Sequence, residues 1–307
     1  MAGGIQFGSD GRLAYGMIDA DRLRFVIDGA AGQPVADAQS PTFSPDAKHF
    51  AFAAQLEGGM RIVVDDRAGP SYELVGPPVF SPDSQRIAYQ ARRGPGRLTA
   101  VIDGVEGPEA RDFWGNVVFS PDSRRTAYLP IQAGSGLIGR FRTHGQAVVD
   151  GVATGEVWDS WQSEVHFSPD SRHVAFAAVR SKVQHMILDD VASPPFDLVG
   201  PPRFGATGRL AYLTKAGAGF ALFFDGARGP TIDEAAPVTP DELFLISPDG
   251  AHVASIAKVG GGWRPIIDDR IGPAYPGIGR ILFEAARVTF CGFRSDGVYD
   301  VSTTLDP

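Results

Sequence analysis

The sequence predicts an all-β chain: a β-propeller of about eight four-stranded blades, with seven as the fallback, forming a single domain over residues 1–307. Three observations predict it. The tetrapeptide Phe-Ser-Pro-Asp recurs in phase along the chain. Short runs of alternating β-branched and aromatic residues, bounded by Gly, Pro and Asp, fill the intervals, and no segment carries a helical period.

The anchors of the repeat are Phe43, Phe80, Phe119 and Phe167, each followed by Ser-Pro-Asp, and Ile246 opens a fifth version. Worn copies begin at Phe7, Phe204 and Phe283, and the spacings between neighbours are 36, 37, 39, 48, 37, 42 and 37 residues. A period near this length suits a repeat that contributes one small sheet. Within each period a short apolar strand ends at the anchor, and the Ser-Pro-Asp turn follows it. A second, alternating strand comes next, such as the run from Arg86 or from His173. A variable loop leads to a third strand that ends in Asp: Asp28, Asp65, Asp103, Asp150, Asp189, Asp225 and Asp268, with a similar residue expected in the eighth repeat. After a turn that often holds Gly-Pro, a fourth strand is expected from Tyr72 or Phe196 and their equivalents. The eighth repeat has room for three strands before Pro307, so a last blade of three strands, or one completed by another segment, is expected.

Composition narrows the function. A formal net charge of -8 argues against nucleic acid and against anionic membranes as partners, because both need a dense cationic surface. No run approaches 18 apolar residues, so membrane insertion is not expected, and the start lacks a signal peptide. The compartment is therefore expected to be the cytoplasm, or the periplasm if a leader has been removed. With Cys291 alone there is no intrachain disulfide and no thiolate zinc site. The sequence has no nucleophile elbow, no P-loop, no dinucleotide fingerprint and no zinc-protease motif, and no cofactor is expected.

The repeated Phe-Ser-Pro-Asp, followed by a basic or polar pair and a strand such as Ile87-Ala88-Tyr89, resembles the TolB-like propeller repeats of bacteria, relatives of WD-repeat blades. The resemblance runs from about Ile5 to Val301. It implies the fold, and it leaves protein binding, substrate gating and small-molecule catalysis all open.

The repeated polar residues read as structure. Asp46, Asp83, Asp122, Asp170 and Asp249 belong to the Ser-Pro-Asp turns, and the third-strand Asp residues stand before Gly or Asp, which tolerate positive φ. His49, His173 and His252 share one repeat position and read as a surface slot, not as metal ligands. Cys291 reads as a small buried hydrophobe.

Function is expected on the end that carries the second-to-third loops and the blade connections, over repeats three to five, where the anchor spacing of 48 marks an outlier. The loop there carries Arg142 and His144. The adjacent connections hold Trp114, Trp158 and Trp161, with Asp112, Phe113, Asp159, Glu164 and His166 among them and His185 beyond. One reading makes the tryptophans plugs in inter-blade seams. The other makes Phe113, Trp114, Trp158, Trp161, Arg142, His144 and His185 a binding surface, with Glu164, His166, Asp159 and Asp112 available as acids and bases. On that basis the chain is expected to bind a protein, a peptide or a small hydrophobic molecule. The alternative is a cofactor-independent enzyme of lyase, hydrolase or cyclase type.

Overall fold

A computed structural model describes residues 5–19, 21–134, 143–235, 244–284 and 287–305. The fold is an all-β propeller of eight antiparallel sheets, the last of them three-stranded. The chain divides into two compact units, Met1–Val157 and Trp158–Pro307, each holding four sheets.

In the first unit, sheet 1 runs Gln6–Phe7, Leu13–Asp19, Arg22–Ile27 and Ala30–Ala31. Sheet 2 runs Asp37–Phe43, Phe50–Leu56, Gly59–Val64 and Arg67–Ala68. Sheets 3 and 4 repeat this order, with second and third strands at Ile87–Gly94 and Arg97–Ile102 in sheet 3, and a second strand at Thr126–Ala133 in sheet 4. In the second unit the second strands are Val174–Arg180, Leu210–Ala216, Val253–Val259 and Arg287–Arg294. The core of each unit lies in its seams. One face of a second strand packs on the preceding sheet and the other on the following one, so Phe50 and Phe52 join the cluster with Phe25, while Ala53 joins the cluster with Tyr72 and Tyr89. This two-sided burial follows from the period-two alternation of strand side chains.

Two motifs recur through the sheets, the Ser-Pro-Asp turn in five of them and the third-strand Asp in seven. In the Ser-Pro-Asp turn the buried hydroxyls of Ser44, Ser81, Ser168 and Ser247 donate to Asp46, Asp83, Asp170 and Asp249 at 2.5–2.6 Å. Each hydroxyl also accepts the N–H of the residue five places on, for instance His49 at 3.0 Å and Arg86 at 3.0 Å. At the far side of the hairpin the third-strand Asp residues adopt left-handed backbone, with φ of 48° at Asp65 and 51° at Asp103. This is the conformation a two-residue hairpin turn demands, and Asp reaches it at little cost. One oxygen of Asp65 accepts the N–H of Phe50 at 3.0 Å and the other meets His49 Nδ1 at 2.6 Å. Asp103 takes Ile87 N–H and Arg86 Nε in the same way. The Asp thus bonds across to the second strand as well as shaping its own turn.

The basic partner varies with consequence. Arg12, Arg86 and Arg209 each extend a second nitrogen to a carbonyl of the next sheet: Ala47, Ser123 and Ala251 at 2.8, 3.0 and 3.1 Å. Imidazole is too short to span that seam. His49, His173 and His252 line grooves of about 660, 540 and 410 Å³ between neighbouring sheets.

Four expectations need correction. In the eighth third strand Thr303 stands at the Asp position and the strand runs on to Thr304, and its sheet has no fourth strand among the described residues. The fourth strands begin immediately after the Asp turn, at Arg67–Ala68 for example. Tyr72 only bridges back to Met60, while Leu74–Val75 already pairs with Arg92 and Ala91 of the next sheet. Seven of the second-to-third connections are two-residue hairpins, as between Leu56 and Gly59 or Arg180 and Val183, so they vary in sequence but not in length. Cys291 is half-exposed, its Sγ 3.3 Å from Asp300 Oδ1, because it lies on the outward face of its strand.

The Ser hydroxyl, then a backbone N–H, holds the carboxyls of Asp46, Asp83, Asp170 and Asp249 below the usual carboxylate range. A depressed folded-state pKa contributes stability that is present above the unfolded value, about 4, and is lost as pH falls through the folded value. The melting temperature is therefore expected to fall as the pH drops below about 4. Asp83→Asn should melt lower at neutral pH and show a shallower acid decline, measured by circular dichroism from pH 7 to 2. An unchanged slope would count against the turn.

Candidate functional site

In the first unit the fourth sheet gathers one group of the predicted residues. Its innermost strand, Asp112–Phe119, starts beside the end of the second strand, with Asp112 opposite Ile131 and Trp114 opposite Leu129. His144 lies opposite Gln132 on the same end of the sheet. Arg142 lies outside the described residues. Asp112 uses Oδ1 to accept the N–H of Phe113 at 2.8 Å. Phe113 is buried edge-on against Tyr128, with ring centroids 5.8 Å apart. Trp114 points the other way and is 43% exposed. The ladder slips between Trp114 and Val118, and Gly115 takes a φ of 72° at the slip. Such a bulge re-aims a side chain, and Gln90 of sheet 3 fixes the loop by donating to the Gly115 carbonyl at 2.7 Å.

The adjoining end of sheet 3 is charged. Arg93 pairs with Glu106, and Arg97 pairs with Glu109 at 2.6 Å, the second pair more than half exposed on both sides. Arg93 holds the Glu106 carboxyl below its ordinary range, with Tyr72 assisting. Gln132 of sheet 4 donates to the Glu109 carbonyl at 2.6 Å and ties the two ends together.

In the second unit Trp158 and Trp161 are 1% and 3% exposed. Trp158 occupies the position of Val35, Tyr72, Phe196 and Tyr275, all buried seam residues. Arg180 lies over its ring at 4.1 Å, as Arg93 covers Tyr72 and Arg294 covers Tyr275 at 5.4 Å. His185 packs 5.4 Å from the same indole and directs Nδ1 to the Ser193 carbonyl at 2.8 Å. The Trp158 Nε1 is buried with no hydrogen-bond partner. Trp161 meets Phe176 edge-on at 5.6 Å and shares its repeat position with Val75, Phe113 and Val199. Asp159 Oδ2 accepts the N–H of Ser181 at 2.7 Å, closing a hairpin.

Glu164 and His166 stand two residues apart at the end of the innermost strand of sheet 5, both exposed, with His166 opposite Ala175. Surrounding protein lowers the His166 pKa, and the Glu164 charge opposes that shift. The imidazole keeps contact with solvent while its local environment is crowded enough to disfavour the cation. None of the residues lining the three His–Asp grooves belongs to the predicted set. Among the described residues no cluster of His, Cys, Asp and Glu has the arrangement of a metal site.

Arg180, Arg93, Arg97, Glu106 and Glu109 were not among the predicted residues. The arginines over seam aromatics follow the repeat, so an alignment on the anchors carries their signal. The Arg–Glu pairs have no such signal, because they depend on which residues two hairpins bring together.

No protein-family model and no curated protein matches the sequence. Among solved structures the chain is similar to the β-propeller domain of the Trilobed protease from Pyrococcus furiosus, at 11% identity over 100% of this chain and 99% of that one, with a TM-score of 0.42. It is also similar to Kuenenia stuttgartiensis hydrazine synthase, at 12% identity over 85% and 94% with a TM-score of 0.35. TolB from Acinetobacter baumannii matches at 19% identity over 73% and 64%, with a TM-score of 0.34. These are loose likenesses, and the propeller assignment rests on the eight sheets themselves. No helix among the described residues is long and apolar enough to cross a membrane.

The contrast between the tryptophans is testable. Trp158→Ala should cost about 3–5 kcal/mol, the range for deleting a large buried aromatic. Trp114→Ala should change stability by no more than about 0.5 kcal/mol, as for an exposed side chain. Urea unfolding of the two variants measures both, and equal losses would contradict the assignment.

Proposed function

We propose that this propeller is a binding module for a protein or peptide, engaged through the neighbouring ends of sheets 3 and 4. The observation that carries the reading is Trp114, a large aromatic side chain 43% exposed on the innermost strand of sheet 4, on the face opposite the buried Phe113. Exposed Trp and Arg are the residues that dominate binding energy at protein interfaces, and the Arg97–Glu109 pair of sheet 3, tied to sheet 4 through Gln132, supplies polar groups for a rim. Asp112 and His144 share the same end of sheet 4 and extend that surface.

The acid–base alternative has less support. Asp112 and Asp159 each spend a carboxylate oxygen on a backbone N–H of their own turn, which is a structural use. Glu164 and His166 keep the only feature of the set that favours chemistry, an imidazole shifted toward its neutral form beside a carboxylate.

Panning a phage-displayed peptide library on the whole chain tests the reading. Enriched peptides should bind the wild type and lose affinity about thirtyfold or more against Trp114→Ala, the loss typical of an interface hot spot. They should bind Trp161→Phe, a substitution in the core, as they bind the wild type. Peptides that bind Trp114→Ala undiminished would place recognition elsewhere.

A further inference from the structure

Sheet 8 departs from the other seven at its outer edge. Its third strand, Gly297–Thr304, forms an unbroken eight-residue ladder with Arg287–Arg294, and no fourth strand joins it among the described residues. The cause is legible in the repeat. Thr303 stands where the other sheets place the Asp that turns the chain back, and a β-branched residue does not readily adopt the left-handed conformation that turn requires. The strand therefore continues where the others reverse.

The sister sheets show what covers this edge elsewhere. In sheet 2 Met60 N–H donates to the Tyr72 carbonyl at 2.8 Å and the Met60 carbonyl accepts Tyr72 N–H at 2.9 Å. The Ile62 carbonyl accepts Gly69 N–H at 2.9 Å. Met60, Ile62 and Val64 thus turn their backbone groups toward the fourth strand. Aligned by register with the second strand, where Thr303 lies opposite Val288 as Asp65 lies opposite Phe50, their counterparts are Val298, Asp300 and Ser302, whose N–H and C=O groups face out of the edge. Among the described residues no bridging residue covers this position in sheet 8. Met60 and Leu23, bridged by Tyr72 and Val35, are 6% and 7% exposed, whereas Val298 is 62% exposed.

Edge strands are ordinarily protected by brevity, proline or lysine. The seven outer strands follow that rule: most pair over two residues, and all but the fourth continue into a proline, such as Pro70 and Pro273. The run from Gly297 to Thr304 has no proline and no lysine and carries Val298, Tyr299 and Val301. Its single charge, Asp300, is exposed.

We infer that the edge Gly297–Thr304 is a strand-addition site for an extended segment of another polypeptide with the chemistry of this chain's own fourth strands. Such a segment has a basic residue, a small or β-branched one, Gly-Pro, and an aromatic residue two places further. Arg67-Ala68-Gly69-Pro70-Ser71-Tyr72 and Arg270-Ile271-Gly272-Pro273-Ala274-Tyr275 are the internal examples. Seated on this edge, the basic residue pairs with Ser302 and lies diagonal to Asp300 on the same face, a favourable cross-strand placement. The Gly N–H reaches the Asp300 carbonyl, and the aromatic ring covers Val298. Main-chain bonds supply the affinity and the two side chains supply the selection.

The test uses a fluorescent peptide of residues 66–75, Asp-Arg-Ala-Gly-Pro-Ser-Tyr-Glu-Leu-Val, titrated with the whole chain by polarisation. Saturable binding is expected. It should weaken about tenfold when the peptide's Tyr amide is N-methylated, which removes the donor to Val298 and leaves the protein untouched. Asp300→Pro should weaken the native peptide similarly while Trp114→Ala leaves it unchanged. Absence of saturable binding, or equal binding of native and N-methylated peptides, overturns the site. A chain that dimerises through this edge, losing the dimer on Asp300→Pro and ignoring the peptide, overturns the proposed occupant.

Discussion

The structure depends on one small constraint, an aspartate held in left-handed backbone at the end of the third strand in seven of the eight sheets. Its φ near 50° reverses the chain into the fourth strand, and its carboxylate reaches back to the first N–H of the second strand. A single residue therefore fixes a turn, a register and the site of a basic partner. Where that partner is Arg, the guanidinium also crosses the seam to the next sheet. Where it is His, the seam opens into a groove. In sheet 8 Thr303 takes the place of the Asp, and no fourth strand joins that sheet among the described residues.

Much of this was legible in the sequence because the repeat prints the same local solution many times. The Ser-Pro-Asp anchors place the sheets, and the eighth sheet is three-stranded as its length suggests. The errors came from steps that composition does not encode. The run from Tyr72 to Val75 reads as one strand, yet its first residue closes one sheet and its last two open the next. Loop lengths were misjudged because the residues between the paired ends differ from repeat to repeat, from Glu57-Gly58 to Ser181-Lys182, while the two-residue hairpin stays the same.

The tryptophans show where sequence reasoning about a site reaches its limit. Clustering in adjacent connections suggested one aromatic surface over repeats three to five. Alignment of the repeats separates them: Trp158 and Trp161 fall on positions that most repeats fill with buried residues, while Trp114 falls on one usually held by Gly or Gln. The exposure of Trp114 follows from its alternation with the buried Phe113, just before the ladder slips at Gly115. Glu164 and His166 depart from the repeat in chemistry and remain exposed, so burial gives them no structural explanation.

Hydrogen exchange on Asp103→Thr tests the central claim most directly. With the turn residue replaced as nature replaces it in sheet 8, the amides of Gly107 and Ala110, which donate to Ala100 and Leu98, should lose protection. The ladder between Ile87–Gly94 and Arg97–Ile102 should keep its protection. Gly107 and Ala110 as protected as in the wild type would mean that the fourth strand forms without the Asp, and the account would be wrong.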